Sequence, residues 1–304
     1  MDEESAQERT LFAVDNALYR WRDVVELARS RGDWARLSDQ AREGAAAMRA
    51  LDAAGDVIPG NELDAAAKEF RYARDLLAGD ELADWLDRRG LTTDDWHGYL
   101  RRALARERIE APAPNGEEPG LTWIEGVCSG RLEELARELA ELVAVSPEAP
   151  RDQLERAYEE FCAQAVDEAG CARELEANRL EWLRFTYEAV ALDDEHAALE
   201  LALCVRADGD TLAAAASRAG AAVEEREDWL DEIEPALATR FLAAQPGDLL
   251  GPVSSEGRFV VAHVQAKVAP SLDDSEVRER AEEAVVARAV ARAVTEGVTW
   301  HEQL

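Results

Sequence analysis

Ala243–Val268 reads AAQPGDLLGPVSSEGRFVVAHVQAKV. Pro246-Gly247 ends a helix and turns the chain, because proline cannot continue a helix and glycine takes the left-handed conformation that closes one. Leu249–Val253 then runs extended, and Ser254–Gly257 has the turn residues of a hairpin. Arg258–Val268 follows as the most strand-like run in the chain, with side chains at 259, 261 and 263 on one face. A helix, a turn and a two-stranded hairpin therefore close this part of the sequence.

Moving N-terminally, Arg184–Leu192 (RFTYEAVAL) alternates Phe185, Tyr187 and Ala189 with Arg184, Thr186 and Glu188, which predicts a second strand. Between these strands, Asp193–Arg206, Thr211–Ala219 and Glu234–Ala244 read as helices, and Ala221–Glu225 as a short strand. After the hairpin, Asp273–Val298 carries Val277, Ala281, Val285, Ala289 and Ala293 at helical spacing.

The first half reads as helices: Leu11–Arg31 with Leu11, Val14, Leu18, Trp21, Val25 and Ala28 as one stripe, then Trp34–Ala53, Asn61–Ala78, Asp80–Arg88 and Asp94–Ile109. Thr92 stands three residues before Asp95, the spacing of a capping box. Glu110–Gly120 (EAPAPNGEEPG) is the clearest break, since three prolines and two glycines in eleven positions exclude both helix and central strand. Thr122–Val143 and Pro150–Asp167 resume the helices, with Ser146-Pro147 as an N-cap and first helical position. Leu63–Phe70 (LDAAAKEF) and Leu154–Phe161 (LERAYEEF) echo one another, as a duplicated module or two similar amphipathic helices would. Helices first and strands grouped later give an α+β class, predominantly helical.

The 304 residues suit two domains. A formal net charge of −31, from 65 acidic against 34 basic side chains, argues against nucleic acid and anionic membrane surfaces. It would steer a basic peptide favourably. No apolar run is long enough to cross a bilayer, and Met1–Thr10 lacks the features of a signal peptide, so a cytoplasmic location is expected. Cys128, Cys162, Cys171 and Cys204 lack paired spacing and read as free thiols, with no metal or other cofactor expected. The eight tryptophans read as packing anchors.

Gln245-Pro246-Gly247-Asp248, Gly251-Pro252-Val253 and Gly257-Arg258-Phe259-Val260-Val261 together resemble the closing half of PpiC-type parvulin peptidyl-prolyl isomerase domains, an FKBP-like α+β fold. The wider layout resembles SurA- and PrsA-like proteins, in which a helical domain holds polypeptide clients, a parvulin domain follows and a last helix returns. That resemblance implies a helical SurA-like domain at 1–180 with a loop near 110–120, a parvulin-like domain at 181–270, and a terminal helix at 271–304 packing back on the first. Trp85–Leu100 (WLDRRGLTTDDWHGYL) and Leu203–Gly209 (LCVRADG) resemble proteins of peptide-maturation systems found near genes for ribosomally made, modified peptides.

Active parvulins usually carry one histidine in the first strand and another after the glycine-aromatic pair of the last. Here Phe185–Leu192 contains no histidine, and Phe259 stands at the second position. Positions matching the proline-pocket wall hold Ile233, Leu237 and Leu242, with Trp229 just upstream. The resemblance thus implies that Trp229, Ile233, Leu237, Leu242 and Phe259 bind peptide, with no catalytic residue assigned. His263 shares a strand face with Phe259, on the order of 13 Å along. The expected function is a peptide-binding chaperone or escort whose client is an unfolded polypeptide or precursor peptide. An active peptidyl-prolyl isomerase and a non-catalytic adaptor recruiting a modifying enzyme are the alternatives.

Overall fold

Leu11–Arg31, expected as one helix, folds as a hairpin and then a helix. In the computed structural model, which describes residues 3–109, 120–255 and 257–301, a short helix α1 (Glu3–Gln7) precedes β1 (Thr10–Val14), β2 (Ala17–Arg20) and α2 (Trp21–Arg31). Val14 pairs with Ala17, so Asp15-Asn16 forms a two-residue turn, and Asp15 has a positive φ of 51°. The spacing of Leu11, Val14, Leu18 and Trp21 fits a helix, but Leu18 is 53% exposed on the hairpin instead. Trp21 begins the helix and is fully buried against Trp123, rings edge-on at 5.8 Å.

Then come α3 (Asp33–Ala54), α4 (Gly60–Ala73), α5 (Gly79–Arg88) and α6 (Thr93–Arg108). Thr92 and Asp95 form the expected reciprocal cap of α6. The expected helix Thr122–Val143 is two helices, α7 (Leu121–Cys128) and α8 (Arg131–Val145). The chain breaks at Gly130, whose φ of 86° a helix interior cannot hold. Ser146 closes α8 rather than capping the next helix; a single 3₁₀ turn (Arg151–Gln153) leads into α9 (Leu154–Ala165). The proline-rich break lies outside the described residues except for Gly120.

Chain contacts divide the protein into one unit of residues 1–161 and 290–304 and a second of residues 162–289. In the first unit, Phe70 sits among Trp85, Trp96 and Tyr99, and Arg89 pairs inside the core with Glu133 at 2.5 Å while lying over the Trp85 ring. A three-stranded sheet of order β2-β1-β7 is completed by the last strand, β7 (Val298–Trp300).

The second unit contains α10 (Glu168–Ala177), β3 (Arg184–Leu192), α11 (Glu195–Asp208), α12 (Leu212–Arg218), β4 (Glu224–Trp229), α13 (Pro235–Ala243), β5 (Leu249–Ser255), β6 (Arg258–Val268) and most of α14 (Ser275–Gly297). The short strand expected at Ala221–Glu225 starts later and runs to Trp229. Its four strands form an antiparallel sheet of order β4-β3-β6-β5. One face packs under α13 and the other under α11 and α12. The fold class is α+β, predominantly helical.

Candidate peptide-binding site

α13 starts with Pro235 at its first position and ends in the Gln245–Asp248 turn. Gly247, with φ of 94°, donates its N–H to the Val264 carbonyl at 2.8 Å; Val264 N–H donates to the Asp248 carbonyl at 2.9 Å. The Asp248 carboxylate accepts the Gln245 N–H at 2.8 Å. Lys267 then donates its ammonium to the carbonyls of Leu242 (2.7 Å) and Ala244 (3.1 Å), capping the negative end of the helix. A bulge at Gln265 on β6, opposite Thr186 and Tyr187 of β3, turns both Val264 and Lys267 toward α13.

Under α13, Ile233 and Leu237 are 7% and 9% exposed, and Phe241 is fully buried. The Phe241 ring meets Phe185 at 5.1 Å and Tyr187 at 4.6 Å. Tyr187 donates its phenol O–H to the Asp228 carboxylate across the β3–β4 pair at 2.6 Å. Burial, and then the hydrogen bond to Asp228 and that carboxylate's charge, push Tyr187 ionisation well above the usual tyrosine range. The polar group in this sheet floor is thus a phenol held on a carboxylate.

The structure brings together two of the five sequence-derived positions, Ile233 and Leu237. Leu242 lies on the outer side of α13, 41% exposed. Phe259 is on the opposite face of the sheet, among Val190, Leu201, Leu212 and Val261. Trp229 packs with Trp182, Val277 and Ala281, and the Arg184 and Arg280 guanidiniums lie 5.1 and 4.8 Å from its ring centroid. Phe241, Tyr187, Asp228 and Lys267 were not singled out in sequence. Phe241 follows Leu237 by four residues within α13, a helical spacing that would have found it; the Tyr187–Asp228 pairing depends on strand register.

His263 does share a face with Phe259 and Val261, and its Nδ1 lies 3.6 Å from the Glu188 carboxylate directly across the strand pair. His97 stacks on Trp96, His196 is the second residue of α11, and His301 follows β7. In the second unit, His263 and the helix α11 that carries His196 lie on the sheet face opposite α13. Among the described residues, Cys204, Asp208 and Asp210 bring potential ligand atoms within 4.8 Å of one another, and Arg218 already pairs with Asp210. Cys128, Cys162, Cys171 and Cys204 are free cysteines. No described helix is long and apolar enough to cross a membrane.

No family model matches the chain, and no curated protein matches it. Solved structures do. PrsA from Bacillus subtilis is similar with a TM-score of 0.25 and 11% identity over 95% of this chain and 91% of that one. Foldase protein PrsA from Streptococcus pneumoniae gives 0.29 and 11% over 94% and 92%. A structure from a study of the SurA-like chaperones PEB4 and Cj1289 in Campylobacter jejuni gives 0.25 and 12% over 68% and 91%.

Proposed function

We propose that the protein is a peptide-binding chaperone or escort whose parvulin-like domain has kept a scaffold and lost the isomerase chemistry. The observation that carries this reading is the floor beneath α13. Ile233, Leu237 and Phe241 fill it, and its polar pair is Tyr187–Asp228. Isomerisation needs hydrogen bonds that favour the twisted prolyl amide over the planar one. A phenol already donating to a carboxylate has no proton free for that amide. Leu242 on the outer side of α13 offers a client apolar contact, while Ile233 and Leu237 hold the helix in place. Trp229 and Phe259 add contacts away from α13. In this reading residues 1–180 hold much of the client, 181–270 form the parvulin-like domain and 271–304 return to the first. The client is a ribosomally made precursor peptide in the cytoplasm, and the chain's excess of carboxylates suits one with basic stretches.

Exchange spectroscopy on a short prolyl peptide tests it. The expected result is shift changes that report binding, with cis–trans exchange left on its uncatalysed timescale of tens of seconds or longer. Acceleration by orders of magnitude would mean an active isomerase. Absence of binding to any prolyl or precursor peptide would leave the adaptor reading.

A further inference from the structure

Among the described residues β4 pairs with β3 alone and is an edge strand. The N–H of Leu230, just beyond β4, donates to the Leu183 carbonyl at 2.9 Å. Hydrogen-bonded and non-hydrogen-bonded pairs alternate along an antiparallel ladder. Counting back from Leu230, the backbone groups of Asp228, Arg226 and Glu224 turn toward β3, and those of Glu225, Glu227 and Trp229 turn away. At Trp229 the outward N–H is met by the Glu232 carboxylate at 3.4 Å. Glu225 and Glu227 present the outward donor and acceptor pairs of the strand, and both residues are exposed.

Edge strands are commonly blunted by proline, a bulge or a covering element. β4 contains no proline, and its register runs unshifted from Arg184↔Trp229 to Ala189↔Glu224. What guards it is charge: EEREDW sets four carboxylates against one guanidinium. In a chain of net charge −31, that repels further copies of itself and any acidic strand. It does not repel a basic one. Glu225 and Glu227 project from one face and Glu224 and Asp228 from the other; Glu227 already pairs with Arg184 at 3.1 Å and Asp228 accepts from Tyr187, which leaves Glu225 and Glu224 as the carboxylates an added strand would meet first on each face. Beyond the end of the strand, a cleft beside Trp229 is lined by Glu227, Glu232, Glu276, Glu279 and Glu283 against Arg184 and Arg280, so carboxylates outnumber guanidiniums there too.

We infer that the outer edge of β4 takes up an extended, lysine- or arginine-rich peptide segment as a fifth strand. The inference rests on the peptide-binding reading and adds to it the kind of segment captured and the place of capture. Backbone hydrogen bonds to Glu225 and Glu227 supply the geometry, and the carboxylates select the charge.

The test uses the full chain and fluorescein-labelled peptides of roughly eight residues, the length of an ordinary strand, with lysine and threonine alternating. Binding is expected, weakening about tenfold or more between low and high salt as screening sets in. Glu225→Lys with Glu227→Lys should weaken it at least tenfold while leaving far-UV circular dichroism unchanged. A further peptide of the same charge carries an N-methyl group on every residue, so that neither edge can donate to β4 in any register, and it should lose binding. Binding of that peptide as tight as that of its parent, or full binding by the double variant, would overturn strand addition at β4. So would failure of the lysine peptide, and a neutral prolyl peptide titrated alongside separates the two readings: if that peptide still binds, the broader one stands.

Discussion

Tyr187 shows how much one side chain can carry. Its ring is packed against Phe241 and its hydroxyl is committed to Asp228, so the residue serves both core and polar floor. Replacing it with phenylalanine keeps the ring and deletes the hydrogen bond. Asp228 is partly exposed and can turn to water, so the expected cost is about 1 kcal/mol. The pH dependence is more specific. Because ionisation of Tyr187 is raised in the folded protein, unfolded chains lose that proton first as the solution becomes alkaline. The group's stabilisation is therefore complete below the ordinary tyrosine range, near pH 10, and is lost as pH rises from there through the folded value. Urea unfolding of Tyr187→Phe against the parent, at neutral pH and above about pH 10, should show a gap that narrows with rising pH. A gap that widens would mean the phenol ionises more easily folded than unfolded, and the pairing with Asp228 would be wrong.

The β5–β6 hairpin shows what a motif glycine is for. Gly251 has φ of 95°, and a Cβ there would lie 2.4 Å from the Val260 carbonyl oxygen and 3.2 Å from the Val253 nitrogen. Both are backbone atoms within a paired hairpin, so neither can rotate aside. Gly257 also has a positive φ, 80°, but open space around its missing Cβ. Gly251→Ala should cost about 2–4 kcal/mol, by clash and strain together, and Gly257→Ala about 1 kcal/mol from strain alone. Equal losses in thermal unfolding would remove the clash from the account. The spans of β3 and β6 were legible in sequence to the residue, because alternation with aromatic and β-branched residues has few other readings. The N-terminal hairpin was not, because Leu11, Val14, Leu18 and Trp21 satisfy helix spacing while the deciding feature is a two-residue turn. The site was legible by residue type more than by place. Ile233 and Leu237 are reached through the parvulin resemblance, while which face Phe259 takes depends on how β6 registers against β3 and on which helices cover each face. Pairing across strands is not encoded in any one of them.

Across the whole molecule, chain order and structural order part company at the C-terminus. Residues 290–304 belong with residues 1–161, and the intervening 162–289 form a unit with its own sheet. The return is specific: Val298, Thr299 and Trp300 pair with Val14, Ala13 and Phe12, the Trp300 ring lies 5.0 Å from that of Phe12, and the His301 N–H donates to the Leu11 carbonyl at 2.8 Å. Phe12 is fully buried and stacked on Tyr19 as well, so Trp300 covers one side of a residue that anchors β1 to the first core. Ending the chain after Gly297 would strip β7 from β1 and expose Phe12, at an expected cost of about 1–3 kcal/mol from lost apolar burial and ladder bonds. That loss belongs to one unit. Hydrogen exchange on the shortened protein should be faster through β1, β2 and α2 and unchanged through β3 and β6, since the sheet holding those two strands gains nothing from β7. Trp300→Ala should reproduce part of the effect without removing the strand. Faster exchange in β3 and β6 by the same factor would show that the two cores unfold as one, and that the closing strand secures the entire chain rather than its first unit.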